Sequence, residues 1–239
     1  MKIQRFYIEN KIEDKSTIRV VSRELVNQLR NVFRLKSNDM VILFDNSGFD
    51  YVSCIKDYED DIVIFSIVEK KINTNFLSKN IYLISSIIKK DKYEWIIEKA
   101  TELGVSHLIP VLSRYTEKKN INHDRLKKII IEASEQSGRV YIPELHNTMS
   151  LEESVRFIKN KKEILPIVFH TEGMLIKDSK IQNMLIKASS IAVFIGPEGG
   201  WSEEEIDMFH RESITISCLG PQILRAETAV IASISSIIF

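Results

Sequence analysis

The chain has 239 residues, 44% hydrophobic and 28% charged, and its 33 Lys+Arg balance 33 Asp+Glu. That composition fits a globular protein of one large or two small domains. No apolar run is as long as a membrane span, and the start, MKIQRFYIENKIEDK, has no apolar signal core, so a cytoplasmic protein is expected. Cys54 and Cys218 are isolated, and His107, His123, His146, His170 and His210 show no metal-ligand spacing, which argues against a disulfide scaffold and sets the expectation of no metal.

Residues 1–72 read as short strands. STIRVV, MVILF, YVSCI and IVIFSIV are rich in β-branched and aromatic residues, and DNSG (Asp45 to Gly48) is a hairpin turn. SRELVNQLRNVFRL (Ser22 to Leu35) has helical spacing at Leu25, Leu29, Val32 and Phe33, with Ser22 as a cap. Several strands and one helix over this length predict a small β-barrel. KKINTNF (Lys70 to Phe76) is a polar break, and the domain boundary is set there, giving domains 1–72 and 73–239.

After the break, strands and helices alternate. NIYLISSII is a strand. KYEWIIEKATELG is a helix stopped at Gly104, and SHLIPVLS is a strand. HDRLKKIIIEASEQSG is a helix stopped at Gly138, ILPIVFH a strand, DSKIQNMLIKAS a helix, and IAVFI and ITISCL are strands. The alternation predicts an α/β domain with a largely parallel sheet, whose ligands bind at the carboxyl ends of strands. His170, Gly196 and Gly220 all fall at such ends.

Two glycine-bearing loops stand at successive strand-to-helix junctions, in IAVFIGPEGGWSEEEI and ITISCLGPQILRAETAVIASI. Together they predict one ligand cradle. In the helix after the first loop, Ser202 and Glu205 are spaced as a capping box, and Glu203 and Glu204 fill the first turn. Carboxylates therefore occupy the positive helix end that a phosphate would need. The loop carries Glu198 and no base, so a neutral or cationic ligand is expected rather than a triphosphate or dinucleotide. Cys218 lies on an alternating strand face with Ile214 and Ile216, which argues against a nucleophile.

GPEGGWSEEEI followed by LGPQILRAETA resembles the paired motifs of knotted, S-adenosylmethionine-dependent RNA methyltransferases. The closer likeness is to the ribosomal small subunit methyltransferase E family, which methylates a uridine of 16S rRNA at ring nitrogen 3. KKDKYEWIIEKATELGVSHLIPVLS and IIIEASEQSGRVYIPEL match the same family, and LRNVFRLKSNDMV does so more loosely. Where that family tends to have a His ahead of the segment matched by LRNVFRL, this chain has Asn27 and Gln28. The resemblance implies a PUA-like N-terminal barrel, a C-terminal trefoil knot of the SPOUT class and a homodimer. The S-adenosylmethionine cofactor would lie where the knotted loops meet. Methylation of a ribose 2′-hydroxyl or of tRNA is the alternative within the fold, and a non-catalytic RNA-binding protein the alternative outside it.

The cofactor set carried over is His170, Gly196, Pro197, Glu198, Gly199, Gly200, Leu219, Gly220, Ile223, Leu224, Thr228 and Ala229, with Ile223 and Leu224 flanking the adenine. Arg225 is assigned to the uracil oxygens or an adjacent phosphate, with a structural ion pair to Glu227 or Glu198 as the competing role. Glu198 is assigned to ligand orientation or proton removal. Trp201 either stacks a base or braces its loop.

The net charge is +0, so contacts to RNA are expected from how the charge is distributed. Residues 2–36 hold nine Lys/Arg against four acids, and residues 39–61 hold seven acids against Lys56 alone. Arg5, Arg19, Arg23, Arg30, Arg34 and Lys36, with Lys89, Lys90 and Arg139, are the candidate contacts to 16S rRNA or the small ribosomal subunit. Lys92, Arg114, Lys118, Lys119, Arg125, Lys127 and Lys128 are further basic groups.

Overall fold

The computed structural model describes residues 3–117 and 120–239, so Lys118 and Lys119 lie outside the described residues. The chain divides into two compact units. The first is residues 1–76 with 134–142, and the second is residues 77–133 with 143–239.

The first unit holds strands β1 (Arg5–Tyr7), β2 (Thr17–Val21), β3 (Met40–Phe44), β4 (Phe49–Glu59) and β5 (Ile62–Ile72), in one sheet of order β1-β3-β4-β5-β2. The β1–β3 pair is parallel and the others are antiparallel. The expected barrel thus appears as a mixed sheet with β1 and β2 at its ends. Inward residues alternate along β4, where Tyr51, Ser53 and Ile55 are buried, as one-sided burial of a strand requires. The core gathers Phe6, Leu29, Leu43, Tyr51, Ile55 and Phe65. Asn46 and Gly48 sit at φ 60° and 90° in the β3–β4 turn, the left-handed geometry that Asn and Gly tolerate.

Two local readings change. The helix over Ser22 to Leu35 is short: α1 spans Arg23–Asn27, capped by Ser22, and widens into a π-helical turn at Gln28–Val32. Lys70 to Ile72 is strand rather than break, because Tyr51, Asp50 and Phe49 pair with Lys70, Lys71 and Ile72. Residues 134–142 join this unit through polar contacts. Tyr7 N donates to Glu135 Oε1 at 2.9 Å, Arg5 Nη2 to the Arg139 carbonyl at 2.9 Å, and Ile142 N to Asn46 Oδ1 at 2.8 Å.

The second unit is a parallel sheet flanked by helices. Its elements are β6 (Asn80–Ser86), α2 (Lys90–Glu102), β7 (His107–Leu112), α3 (His123–Ser137, whose last turn belongs to the first unit), β8 (Glu144–Leu145), β9 (Met149–Ser150) and α4 (Leu151–Lys159). They are followed by β10 (Ile164–Leu175), α5 (Ser179–Lys187), β11 (Ser190–Ile195), α6 (Glu203–Arg211), β12 (Thr215–Cys218) and α7 (Ala226–Ile238). The strand order is β12-β10-β11-β6-β7-β8, with β9 also on β7, and every pairing is parallel. Central strands β6 and β11 are buried along nearly their whole length, which explains their unbroken apolar runs. Ile84, Ile109, Val168 and Phe194 form the middle of this core, each worth about 1.5–3 kcal/mol of burial. Helix α4 is an element that the sequence reading passed over, although Ser150 and Glu153 form a complete capping box before it.

Candidate active site

Strands β10 and β11 are parallel neighbours whose last pair is Phe169 with Ile195. Gly196 follows the end of β11, whereas His170, expected at a strand end, lies within β10, which runs on to pair Met174 and Leu175 with Ser217 and Cys218 of β12. Strand β12 pairs with the other side of β10 and leads into the second glycine loop. A cavity of about 470 Å³ opens where these ends meet. Of the sequence-derived cofactor set, His170, Gly196, Pro197, Glu198, Gly199, Gly200, Leu219, Gly220, Ile223, Leu224 and Ala229 line it, together with Arg225. Thr228 does not line it and is exposed on α7. On a helix, side chains one residue apart do not face the same way, so the face that turns Ala229 and Ala226 to the cavity turns Thr228 away.

The first loop is built to stay open. Gly200 has φ 73°, a conformation that L side chains rarely adopt. A Cβ on Gly196 would stand 3.1 Å from the Trp201 ring, and one on Gly199 would stand 3.0 Å from Tyr115 Cβ. A side chain at 199 would therefore press on Tyr115, and the positive φ belongs to Gly200. Trp201 is 7% exposed, and it donates from Nε1 to the Phe169 carbonyl at 3.1 Å and meets Phe209 edge-on at 5.2 Å. It braces the loop, and its indole is committed to the core.

The capping box is present in both halves. Ser202 N donates to Glu205 Oε2 at 2.8 Å, and Glu205 N donates to Ser202 Oγ at 3.3 Å. Glu205 Oε1 also accepts from Arg114 N at 2.8 Å, which anchors the segment carrying Tyr115. Hydrogen bonds from its own backbone N–H and from Ser202 hold the Glu204 carboxyl below its usual range. The positive end of α6 is therefore occupied, and an anionic ligand has no free dipole to meet.

Arg225 is the N-cap residue of α7, exposed, with no side-chain capping bond and no ion pair among the described residues. Glu227 pairs instead with Lys92 at 3.4 Å, so the competing structural pair is absent. Glu198 is also exposed at the rim. Cys218 is buried and donates to the Gly173 carbonyl at 3.2 Å, which leaves it outside the cavity lining. The sequence reading missed Phe169, Thr171, Ile195, Gln222 and Ala226 as lining residues; each adjoins a residue that it named or lies between two of them.

The basic residues separate into two classes. Arg5 is corrected. Its guanidinium is buried in an ion pair with Asp50 and lies 4.9 Å from the Phe44 ring, so it holds the first unit together and offers nothing to a phosphate. Arg139 is likewise committed, donating from Nε to the Tyr141 carbonyl at 3.0 Å, with burial pulling its pKa down to about 10. Arg19, Arg23, Arg30, Arg34 and Lys36 are exposed on the first unit, and Lys89 and Lys90 on the second. Arg19 pairs loosely with Glu59 at 2.9 Å, and Arg30 stacks on Tyr58 at 4.4 Å.

No described helix is long and apolar enough to cross a membrane. The RNA methyltransferase domain model matches residues 76–238. The chain is 30% identical to ribosomal RNA small subunit methyltransferase E of Rickettsia conorii, over 99% of this chain and 96% of that one. It is also 30% identical to the Bacillus subtilis protein of the same name, over 98% and 96%. A crystal structure of ribosomal RNA small subunit methyltransferase E from Neisseria gonorrhoeae, bound to S-adenosyl methionine, superposes with a TM-score of 0.85 at 27% identity, covering 99% of this chain and 97% of that one. An α/β unit with a parallel sheet, two glycine loops over one cavity and near full-length relatives agree: the chain belongs to the ribosomal RNA small subunit methyltransferase E family.

Proposed function

We propose that this protein transfers a methyl group from S-adenosylmethionine to ring nitrogen 3 of a uridine in 16S rRNA of the small ribosomal subunit. The observation that carries the reading is the unpaired Arg225 guanidinium at the rim of a cavity built from both glycine loops. The cavity suits the cofactor on its own chemistry. Apolar groups from Phe169, Leu219, Ile223, Leu224 and Ala229 offer walls for a purine, glycine backbone allows close approach, and the carboxylate at the rim is Glu198. A sulfonium zwitterion without phosphate needs no free helix dipole.

When bound, the cofactor supplies an electrophilic methyl group. The protein's share is placement and charge. The loops hold the donor so that the uracil nitrogen approaches in line, and Arg225 faces the negative charge that grows on the uracil oxygens as the ring N–H proton leaves. Glu198 orients the ligand from the rim.

Within this reading the first unit is a PUA-like module gripping RNA through Arg19, Arg23, Arg30, Arg34 and Lys36, with Lys89 and Lys90 contributing from the second. A trefoil-knotted C-terminal domain, a homodimer and a cytoplasmic setting belong to the same reading through the family resemblance. The test is nucleoside mapping of 16S rRNA incubated as small subunits with the protein and S-adenosylmethionine. A new 3-methyluridine supports the reading; a 2′-O-methyl nucleoside, or methylation of tRNA alone, replaces it.

A further inference from the structure

We propose that His107, Glu144 and His146 form a binding site for one divalent transition-metal ion of the zinc class. His107 opens β7 and Glu144 opens β8, and the parallel pairing puts the two in register. His146 N donates to the Leu108 carbonyl at 2.9 Å, which fixes the backbone two residues further on. The three side chains converge as a result. His107 Nδ1 stands 3.1 Å from His146 Nε2 and 3.2 Å from Glu144 Oε2, and His146 Nε2 stands 3.7 Å from Glu144 Oε1. One ligand atom from each lies within 4.8 Å of the others.

Those separations suit a shared ion. Ligand bonds of about 2.0–2.2 Å in a tetrahedral site put neighbouring ligand atoms about 3.3–3.6 Å apart. Two imidazoles and a carboxylate are a borderline N/O donor set that leaves one position for water, and Glu144 faces solvent and keeps that position open. The rings are held in place before any ion arrives. Tyr82 stacks on His107 with centroids 4.0 Å apart and planes 8° apart, and Phe157 meets His146 edge-on at 5.4 Å. Burial lowers both histidine pKa values, so the neutral, ligating form prevails near neutral pH. The charge of Lys161 acts against cation binding, and its side chain rests against the Tyr82 and Phe157 rings rather than in the cluster.

The location assigns the ion a structural role. Strands β6 to β12 all run parallel, so a residue that opens β7 is at the amino end of the sheet, whereas the glycine loops leave its carboxyl end. The ion would staple the two-residue strand β8 to β7 and take no part in methyl transfer.

The test is calorimetric titration of the full-length, chelator-stripped protein with zinc chloride near neutral pH. One ion per chain is expected, with a rise in the unfolding temperature and unchanged cofactor affinity. Glu144→Gln and His146→Gln should each weaken binding at least about tenfold, and His210→Gln on α6 should not. Glu144 is 62% exposed, so Glu144→Gln keeps the fold and carries the test even where His146→Gln fails to fold. Cobalt(II) should add visible absorption that disappears in Glu144→Gln. Absence of binding, or binding equal in Glu144→Gln and the parent, overturns the site and leaves an adventitious ion or a metal-free histidine pair.

Discussion

Trp201 Nε1 donates to the Phe169 carbonyl at 3.1 Å, which ties the loop after β11 to the last residue of β10 that pairs with β11. Both residues line the cavity, so the bond fixes two of its walls relative to each other. Trp201→Phe keeps a ring against Phe209 and removes this donor from the Phe169 carbonyl. We expect a loss of about 1–3 kcal/mol in denaturant unfolding and a weaker affinity for S-adenosylmethionine by calorimetry. Stability and affinity both equal to the parent would show that the loop holds its shape without the bond.

Gly200→Val should lower donor affinity more than it lowers stability. At φ 73° a β-branched residue carries roughly 1–2 kcal/mol of backbone strain, no neighbour lies within 4 Å of a Cβ there, and the residue lines the cavity. Gly199→Val behaves differently: its Cβ meets Tyr115 at 3.0 Å, and the Tyr115 segment must move as well. Calorimetry and thermal unfolding on the two variants separate blocked space from a displaced neighbour.

Arg225→Ala should slow methyl transfer by about a hundredfold to a thousandfold while donor affinity changes little, because the guanidinium acts on charge that appears in the transition state. Single-turnover rates with saturating rRNA are the measurement. A rate within a fewfold of the parent takes the Arg225 guanidinium out of the reaction.

Charge reversal at Arg30 and Arg34 should flatten the salt dependence of RNA affinity, by about 0.7 to 0.9 unit of slope for each lost phosphate contact. Both side chains are exposed, so the variant should fold. Deleting residues 1–72 is a poorer test, because Glu135 and Arg139 bond to Tyr7 and Arg5 and would lose their partners. An unchanged slope places the RNA contacts elsewhere.

With chelator present, stability should fall as pH drops below the unfolded histidine value of 6.5. Burial lowers the folded pKa of His107 and His146, Lys161 and the paired ring add to the lowering at His107, and Glu144 opposes it. Between the folded and unfolded values the unfolded chain holds more protons, so stability is fully present above 6.5 and is lost as pH falls towards the folded values. The double variant His107→Gln with His146→Gln should show a flatter unfolding-midpoint profile over that window.

Local features were legible in the chain because they depend on neighbours a few residues apart. Ser202 and Glu205 are three positions apart, the apolar runs of β6 and β11 mark strands buried on both faces, and Asn46 and Gly48 mark the β3–β4 turn. The glycine loops were legible for the same reason, since each lies between a strand-like run and a helix-like run. The rest required partners far away in sequence. Arg5 reads as one more basic residue until Asp50 buries its charge, and Trp201 reads as a possible base stacker until Phe169 supplies its acceptor. Strand β8 has two residues, too few for any periodicity, and only its pairing with β7 brings Glu144 and His146 to His107. Parallel pairing joins strands through long crossovers, so the register that gathers these side chains is a property of the folded sheet and of no local run of sequence.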